Sequence, residues 1–320
     1  MRTNKNVNIT EYDLYGYNYE DYWKQNRVYE NECDKLAVKQ LIKNESGDWY
    51  VDLGGSYGRL LSTYNPKFLH NVLTDYSIES LKKAKKDIKD RKIANVDLVA
   101  LNIYNLPFKD GSFSGGQMIR VMHHIEDPEL CFKELSRIIK KRGFFILEFA
   151  NKIHFLAKIR ALIKLNPKFI FNKQPYKQPT KETKQGTKEE DGLFYNFHPK
   201  HIDRLINDNS FTLERRRSAS NLRSGFFKSI FSNKTLIKFE LLLQKALSFT
   251  SFGPSLYRKM RKTKGVDSSS CKSIYEIISC PKCKGALNKK ASRLFCGECN
   301  TAFPITYGIL DLRWPRPSNE

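Results

Sequence analysis

The sequence has no run of 18 or more apolar residues, and its opening stretch, MRTNKNVNITEYD, contains no apolar segment. A helix needs about 20 apolar residues to cross a bilayer, and a signal peptide needs an apolar run behind its charged start. The sequence therefore predicts neither a transmembrane segment nor a signal peptide. We expect a cytoplasmic protein.

Acidic residues are scarce. The 320 residues include 56 Lys and Arg against 34 Asp and Glu, which gives a formal net charge of +22. Such a surface attracts RNA, anionic lipid or acidic small molecules. A lysine-rich composition also arises without a functional reason, so the charge alone does not choose among these partners.

The seven cysteines are too unevenly spread for a disulfide framework. Four of them form two close pairs near the end of the sequence, which is typical of metal ligands in a reducing compartment. The remaining three are Cys33, Cys131 and Cys271.

Strand-like and helix-like runs alternate through the first half of the chain. This alternation predicts an α/β fold with a parallel sheet covered on both faces. The helix predicted over 128–140 is expected to begin after Asp127, with Pro128 in its first turn and Gly143 just past its end. The predicted strands are 69–75, 96–101, 115–121 and 143–149, and the predicted helices are 78–90 and 128–140.

After residue 150 the rhythm changes. Residues 152–165 place apolar side chains on one helical face and basic ones largely elsewhere, which predicts a basic amphipathic helix. Residues 166–190 are polar. A helix over HPKHIDRLIND, a strand over FTLERRRSAS and a last strand over PSLYRKMRK are expected to follow, with a second basic and apolar stretch at 225–250 between the two strands.

A glycine-rich turn, VDLGGSYGR, follows the first strand signal. Arg59 stands where a dinucleotide fingerprint needs its third glycine, and no Lys-Ser or Lys-Thr follows, so neither that fingerprint nor a P-loop fits. What remains is a strand, an acidic residue and a Gly-x-x-x-Gly turn that opens a helix. An ordinary strand-to-helix turn would look the same, so this motif alone leaves both readings open.

Together with the segments after it, the turn resembles the first motif of class I S-adenosylmethionine-dependent methyltransferases. The resemblance covers roughly the first 220 residues, and residues 111–152 resemble the subgroup of quinone-biosynthesis C-methyltransferases. It implies that Asp75 accepts hydrogen bonds from the ribose, Tyr76 lies against adenine, and Asn102 accepts from the adenine amino group. The implied cofactor-binding residues are Asp52, Gly54, Gly55, Ser56, Gly58, Asp75, Tyr76, Asn102, Ile103 and Arg120.

Three positions depart from the family pattern. Ser56 replaces a glycine, Asn102 replaces an aspartate, and Ser114 replaces the aspartate of a Phe-Asp pair. An amide oxygen can still accept a hydrogen bond, but it carries no charge. The three changes keep open the hypothesis of a non-catalytic scaffold with a decayed cofactor site.

The resemblance implies a Rossmann-like, seven-stranded, doubly wound sheet with a small zinc-ribbon domain. The expected organisation is an N-terminal helical and aromatic lid, a methyltransferase domain with two basic insertions, a linker and the ribbon. Tyr12, Tyr15, Tyr17 and Trp23 could form the lid or simply pack on the sheet edge. The boundaries are 1–45 for the lid, 46–262 for the domain, about 151–195 and 223–252 for its insertions, 263–275 for the linker and 276–316 for the ribbon.

Methyl transfer needs alignment more than a catalytic triad, because the sulfonium already activates the methyl group. A base helps only if the acceptor must lose a proton. The candidates follow the fourth strand: Arg120 and His124 as catalytic residues, with His123 beside them. Local packing of His124 and a solvated Arg120 are the competing interpretations.

The paired cysteines have the spacing of a structural zinc site. Each C-x-x-C turn presents two thiolates to one ion, and two such turns complete a closed tetrahedron. Redox pairing is the alternative. With the flanking FPITYGILDL, the segment resembles the small zinc-ribbon partner subunits of translation- and tRNA-modifying methyltransferases. The expected Zn2+ ligands are Cys280, Cys283, Cys296 and Cys299.

Three functions are compatible with these features. The first is a methyltransferase for a small-molecule or lipid-like acceptor, with peripheral contact to an anionic membrane through the basic apolar helices. The second is a methyltransferase for ribosomal or transfer RNA or a translation factor. The third is the non-catalytic scaffold.

Overall fold

The computed structural model describes residues 19–177, 194–267 and 271–315. Within them the strands are β1 Gly47–Leu53, β2 Phe68–Asp75, β3 Val96–Leu101, β4 Phe113–Met118, β5 Ile139–Ala150, β6 Tyr176–Lys177, β7 Tyr195–Asn196, β8 Phe211–Ala219, β9 Ser255–Lys262, β10 Leu287–Lys290, β11 Arg293–Cys296, β12 Ala302–Thr306 and β13 Ile309–Leu312. The expected lid residues Tyr12, Tyr15 and Tyr17 lie outside the described ranges.

The helices lie between these strands. They are α1 Tyr19–Asp21, which continues as a π-helix over Tyr22–Asn26, α2 Val28–Ile42, α3 Leu61–Tyr64, α4 Ile78–Asp90, α5 Pro128–Ile138, α6 Phe155–Ile163, α7 Lys168–Phe171, α8 Pro199–Asp208, α9 Gly225–Ile230, α10 Asn233–Ala246 and α11 Ile274–Ile277. Short 3-10 turns occur at Asn65–Lys67 and Met122–His124. No helix among the described residues is long and apolar enough to cross a membrane.

Seven strands form the expected doubly wound sheet, in the order β3-β2-β1-β4-β5-β9-β8. β3, β2, β1, β4 and β5 run parallel, and β9 is antiparallel to both of its neighbours, β5 and β8, so that β8 runs in the direction of β5. This arrangement confirms the Rossmann-like fold class. Because the parallel strands all end at the same edge, the turns that follow β1, β2, β3 and β4 meet there.

The cysteine-rich segment continues this sheet. Its strands β10 to β13 are antiparallel to one another, and β13 pairs parallel with β3, with Leu312 opposite Leu101. The whole sheet therefore has eleven strands. β3, which would otherwise be an edge strand with unpaired backbone groups, is covered.

Local signals explain the helices that border the site. The Ser77 side chain caps α4 by accepting from the backbone N–H of Ser80, and the Asp127 side chain caps α5 by accepting from that of Leu130. α4 buries Leu81 and turns its lysines outward. Both helix starts agree with the sequence.

Two predicted boundaries were wrong. The helix predicted over 128–140 ends at Ile138, and Gly143 lies inside β5 rather than past a helix end. A Cβ on Gly143 would lie 2.9 Å from the Lys140 carbonyl oxygen, so this tight return of the chain requires glycine. The strand predicted over 115–121 is Phe113–Met118, because residues 119–121 turn toward the site.

The segments after β5 follow the predicted order. The basic amphipathic helix is α6, and the 225–250 stretch forms α9 and α10. In the predicted linker, the Val266 carbonyl accepts from the Lys141 N–H, and the Cys271 carbonyl accepts from Nε1 of Trp49 at 2.8 Å. The chain on both sides of residues 268–270 is thus held against the sheet.

Candidate functional site

The glycine turn after β1 has the backbone of a ligand-binding turn. Gly54, Ser56 and Gly58 all have positive φ, at 69°, 51° and 80°. A Cβ at Gly54 would lie 2.3 Å from Val121 Cγ2, so glycine is required there by space as well as by conformation. Ser56 adopts the same left-handed conformation at some cost in strain.

Asp52 is buried beneath this turn. It is 2% exposed, and its Oδ2 has no hydrogen-bond partner among the described residues. Burial raises the pKa of Asp52 to about 6, and the neighbouring Gln117 and Tyr64 side chains offset only part of that rise. A Cβ on Gly55 would lie 2.9 Å from the Asp52 carboxyl carbon, so the turn packs directly on this unsatisfied acceptor.

Asp75 joins the turn to the next helix. Its Oδ2 accepts from the Ser56 N–H at 2.9 Å, and its Oδ1 accepts from the Ser77 N–H at 3.0 Å. Each carboxylate oxygen retains acceptor capacity for a hydroxyl. The position and chemistry fit the expected contact with a ribose.

The residues expected near adenine also lie at this edge. Asn102 directly follows β3 and is 5% exposed. Its amide oxygen accepts from the Tyr104 N–H at 3.0 Å, and its amide nitrogen donates to the Trp314 carbonyl at 3.1 Å. Tyr76 is half-buried beside the Arg313 guanidinium, and Ile103 packs against the main core.

Arg120 lies at the end of β4 in an ion-pair cluster that the sequence did not indicate. Its Nε and Nη2 donate to the two oxygens of Asp34 at 3.1 and 2.8 Å. Arg59 and Tyr257 donate to the same carboxylate at 2.8 and 2.6 Å. Glu148 accepts from the Arg120 backbone N–H at 2.9 Å.

The charges of this cluster stabilise one another. Burial alone would raise the pKa of Asp34, but the guanidinium groups of Arg120 and Arg59 outweigh it and hold the pKa below its ordinary value. Burial likewise opposes the charge on Arg120, yet Asp34 and Glu148 keep its pKa well above the ordinary range. Arg120 therefore cannot act as a base, and its charge holds the turn after β4 in place.

His123 and His124 occupy the 3-10 turn after β4, with ring centroids 4.0 Å apart. Burial lowers the pKa of His123 well below its ordinary value, so this imidazole is neutral at neutral pH. Its ring lies against Phe194 at 4.5 Å. His124 is the less buried of the two and remains the candidate base on this side of the site.

Trp23 covers the site from the N-terminal side. The Arg59 guanidinium lies 4.0 Å from the Trp23 ring and that of Arg120 lies 5.7 Å from it, which are cation–π distances. Beneath them a cavity of about 20 Å³ remains beside Asp52 and the glycine turn. That volume holds about one water, so a larger ligand requires these side chains to move.

Sequence reasoning missed Asp34 and Glu148. Asp34 falls on the buried stripe of α2 with Val38 and Leu41, at i, i+4 and i+7, and an acid on such a stripe signals a buried partner. Glu148 is an acid near the carboxyl end of a buried strand, which is a similar signal. Neither signal identifies the partner.

Ser114 has no part in this site. Its hydroxyl accepts from the Asp48 and Trp49 N–H groups at the start of β1, at the opposite edge of the sheet. One of the three departures from the family pattern thus has a structural explanation that does not bear on the cofactor.

The four paired cysteines converge as the spacing predicts. The sulfurs of Cys280, Cys283, Cys296 and Cys299 all lie within 4.8 Å of one another. Cys280 and Cys299 are 3.6 Å apart, and Cys283 and Cys296 are 3.3 Å apart. Zinc–sulfur bonds of about 2.3 Å in a tetrahedron place sulfurs roughly 3.8 Å apart, so the cluster fits Zn2+.

Two protein families match the chain. Residues 51–147 match the family described as "Methyltransferase domain", and residues 272–308 match the family described as "Trm112p-like protein". Together the two matches cover the end of β1, the glycine turn, β2 to β4, most of β5 and the cysteine cluster.

Similar proteins support both assignments. A demethylmenaquinone methyltransferase of Geobacillus sp. is 26% identical over 121 residues, which are 38% of this chain and 48% of that protein. A UPF0434 protein of Shewanella pealeana is 48% identical over 40 residues, which are 12% of this chain and 70% of that protein. The chain spans about half the length of most curated relatives it matches.

A solved structure shares the fold. The geranyl diphosphate C-methyltransferase from Streptomyces coelicolor superposes with a TM-score of 0.50 at 15% identity, covering 81% of this chain and 90% of that one. At this identity the likeness shows the fold alone. The orphaned Asp52 oxygen, the glycine turn and Asp75 fit S-adenosylmethionine as the cofactor.

Proposed function

Because the chain is a class I S-adenosylmethionine-dependent methyltransferase domain joined to a Trm112p-like zinc ribbon, we propose that the protein methylates a lipid-like small molecule at an anionic membrane surface. The observation that carries this proposal is an apolar, basic surface beside the carboxyl edge of the sheet.

Exposed apolar side chains are concentrated in two segments. Soluble monomers rarely leave large apolar patches in water, and such patches mark contact surfaces. The first segment exposes Phe155, Leu156, Ile159, Leu162, Ile163, Leu165, Phe171 and Tyr176, and the second exposes Phe226, Ile230, Phe231, Phe239, Leu241, Leu242 and Phe249. Phe155 stacks on Phe252 at 4.7 Å, which links the start of α6 to the turn after α10.

α10 buries two polar side chains and exposes large apolar ones. It buries Glu240 and Gln244 completely, while Phe239 is 51% exposed and Leu242 is 70% exposed. A helix whose outer face contacts water buries its large apolar side chains and exposes its charged ones, as α4 does. The outer face of α10 therefore suits an apolar environment.

Basic residues surround the apolar ones. Lys234, Lys238 and Lys245 are exposed on α10, and Arg160 and Lys164 are exposed at the end of α6. Apolar insertion combined with electrostatic attraction is how interfacial helices bind anionic bilayers. The charge complementarity thus favours an anionic membrane over a neutral one.

Two cavities suit a lipid-like acceptor. One of about 270 Å³ is lined only by leucine and phenylalanine side chains between α9 and α10, including Phe227, Phe231 and Leu236. The other, of about 560 Å³, lies where the chain leaves β5, and Lys152, Arg160 and Phe169 are among its lining residues. Cavities of the second size hold small-molecule ligands, and this edge of the sheet is where such folds bind them.

In this mechanism the protein binds the cofactor and the acceptor and aligns them. S-adenosylmethionine supplies a methyl group that is already activated, and alignment alone can contribute effective molarities of about 10⁵–10⁸ M. Asp75 would hold the ribose, the turn from Gly54 to Gly58 would approach the cofactor with its bare backbone, and Trp23 would exclude water. If the acceptor must lose a proton, His124 is the candidate base.

The decisive experiment follows a labelled methyl group from S-adenosylmethionine into cell extract separated into lipid, RNA and protein. We expect the label in the lipid fraction. Label in RNA or protein would instead support the RNA or translation-factor alternative, which the +22 charge and the Trm112p-like ribbon favour. No label and no cofactor binding would support the scaffold.

A vesicle experiment tests the membrane surface separately. We expect co-sedimentation with anionic vesicles, reduced at least tenfold by Leu242→Glu because a charge then replaces an inserted side chain. Leu69→Glu is the matched control, since Leu69 is 63% exposed at the distant amino end of β2. Equal binding to neutral vesicles, or an equal loss in the control, would contradict the proposed surface.

A further inference from the structure

The ribbon delivers its own residues to the cofactor edge of the sheet. β13 is parallel to β3, and Leu312 is opposite Leu101. Parallel neighbours end at the same edge, so the chain after Leu312 leaves the sheet beside the chain after Leu101. Arg313 and Trp314 therefore lie next to Asn102, where the adenine end of the cofactor is expected.

Asn102 is shared between the two domains. It donates from its amide nitrogen to the Trp314 carbonyl at 3.1 Å and accepts at its amide oxygen from the Tyr104 N–H at 3.0 Å. A carboxylate can only accept, so an aspartate here would face the Trp314 carbonyl oxygen without a hydrogen between them. The ribbon thus explains the amide that replaces the acid of the family pattern.

Arg313 is held rigidly at the same edge of the sheet as Asn102. It is 4% exposed, and its Nε and Nη2 donate to the two oxygens of Asp311 at 2.9 and 2.8 Å. Its guanidinium carbon lies 5.5 Å from the centroid of the Tyr76 ring. A planar cation held rigidly by a buried carboxylate is suited to bounding a flat aromatic ligand.

We propose that Arg313 and Trp314 form one wall of the adenine end of the cofactor site, with Arg313 bounding the base beside Tyr76 and Trp314 fixing Asn102. This inference rests on the cofactor binding of the proposed function. Since zinc holds the ribbon and the ribbon supplies the wall, zinc and the adenosyl ligand stabilise each other's binding, and the coupling is reciprocal.

Calorimetry on the zinc-loaded full chain tests the wall with two ligands, S-adenosylhomocysteine and 5′-methylthioadenosine. Both carry adenine, but only the first carries the amino-acid end. We expect Asn102→Asp and Arg313→Gln each to weaken both ligands by the same factor, at least about tenfold, because each leaves a buried polar group without its partner.

Matched controls separate this wall from general damage to the ribbon. Arg293→Gln removes an exposed ribbon arginine and should leave both affinities unchanged. Zinc content and the melting temperature show whether each variant folds. Arg313→Lys keeps the charge if Arg313→Gln does not fold, and it should give a smaller loss for both ligands.

Two outcomes overturn the wall. One is unchanged affinity for both ligands in the folded, zinc-loaded variants, and the other is tighter binding by Asn102→Asp, as the family pattern alone would predict. A parent chain that binds neither ligand would overturn the proposed function and the wall with it. Reciprocity gives a readout independent of the variants: S-adenosylhomocysteine should raise the zinc affinity measured in competition with a chelator.

Discussion

Two buried aspartates of the candidate site differ in their hydrogen bonding and in the direction of their pKa shifts. Asp34, on α2, accepts hydrogen bonds from Arg59, Arg120 and Tyr257, and its pKa lies below the ordinary value. Asp52, under the glycine turn, has an oxygen with no partner among the described residues, and burial raises its pKa to about 6. The fully paired Asp34 stabilises the structure of the site, whereas the unpartnered oxygen of Asp52 is kept for a ligand.

The largest effect is expected from Asp34→Asn. Losing this charge leaves the largely buried Arg59 without its Asp34 partner and Arg120 with Glu148 alone, which costs about 3–5 kcal/mol of the free energy of unfolding. Urea unfolding at pH 7.5 measures it. Glu32→Gln, on the exposed side of the same helix, should stay within about 0.5 kcal/mol.

Asp34 also fixes the direction of the acid response. Its folded-state pKa is depressed, so its contribution is present above the ordinary value of 3.8 and is lost as the pH falls through the folded-state pKa. The parent should lose stability more steeply than Asp34→Asn in this acid range. Parallel slopes for the two proteins would contradict the paired role of Asp34.

Asp52→Asn should have the opposite sign. The folded-state pKa of about 6 exceeds the ordinary 3.8, so Asp52 contributes no penalty below pH 3.8, and stability is lost as the pH rises through 6. At pH 7.5 the variant should be more stable than the parent by about 2–3 kcal/mol, and the gain should vanish near pH 3.5.

The same variant should bind S-adenosylhomocysteine more weakly, because the acid is kept unsatisfied for the ligand. Unfolding and calorimetry on one preparation measure both properties. Higher stability with full affinity would show that Asp52 has no part in binding, and lower stability would show that it is paired.

Trp23→Leu tests the packing of Trp23 over Arg59 and Arg120. It removes two cation–π contacts, worth about 1–2 kcal/mol, and leaves a smaller side chain that packs less fully at this buried position. Stopped-flow mixing should show faster association of the cofactor product, since the cover is looser. Tyr307→Leu removes an exposed contact with Lys82 and should cost less than about 0.5 kcal/mol.

Ser56→Gly should have the smallest effect. Glycine relieves the left-handed strain at Ser56, worth about 1–2 kcal/mol, but loses about 0.4–1 kcal/mol through the freer unfolded chain. We expect a net gain below about 1 kcal/mol and unchanged cofactor affinity, because the N–H that binds Asp75 remains. A clear loss of affinity would assign the Ser56 hydroxyl a role of its own.

The sequence predicted what depends on local order. Strand alternation, the glycine turn, Asp75 at the end of β2 and the C-x-x-C pairs each depend on residues that are close in sequence, and the structure has them where expected. Asp34, Arg59, Arg120 and Tyr257 meet from four distant segments, so no local pattern could pair them. For the same reason the sequence indicated only a lost aspartate at Asn102 and at Ser114, because it could not show their partners Trp314 and Asp48.

The pairing of β13 with β3 also sets an order of events on the ribosome. Leu312 is synthesised roughly 210 residues after the Leu101 that it pairs with. Until then the β3 edge of a nascent chain has no neighbour, and an open parallel strand invites association with other chains. Completion of this sheet is therefore a late event of high contact order, and zinc supply at that moment bears on the yield of native protein.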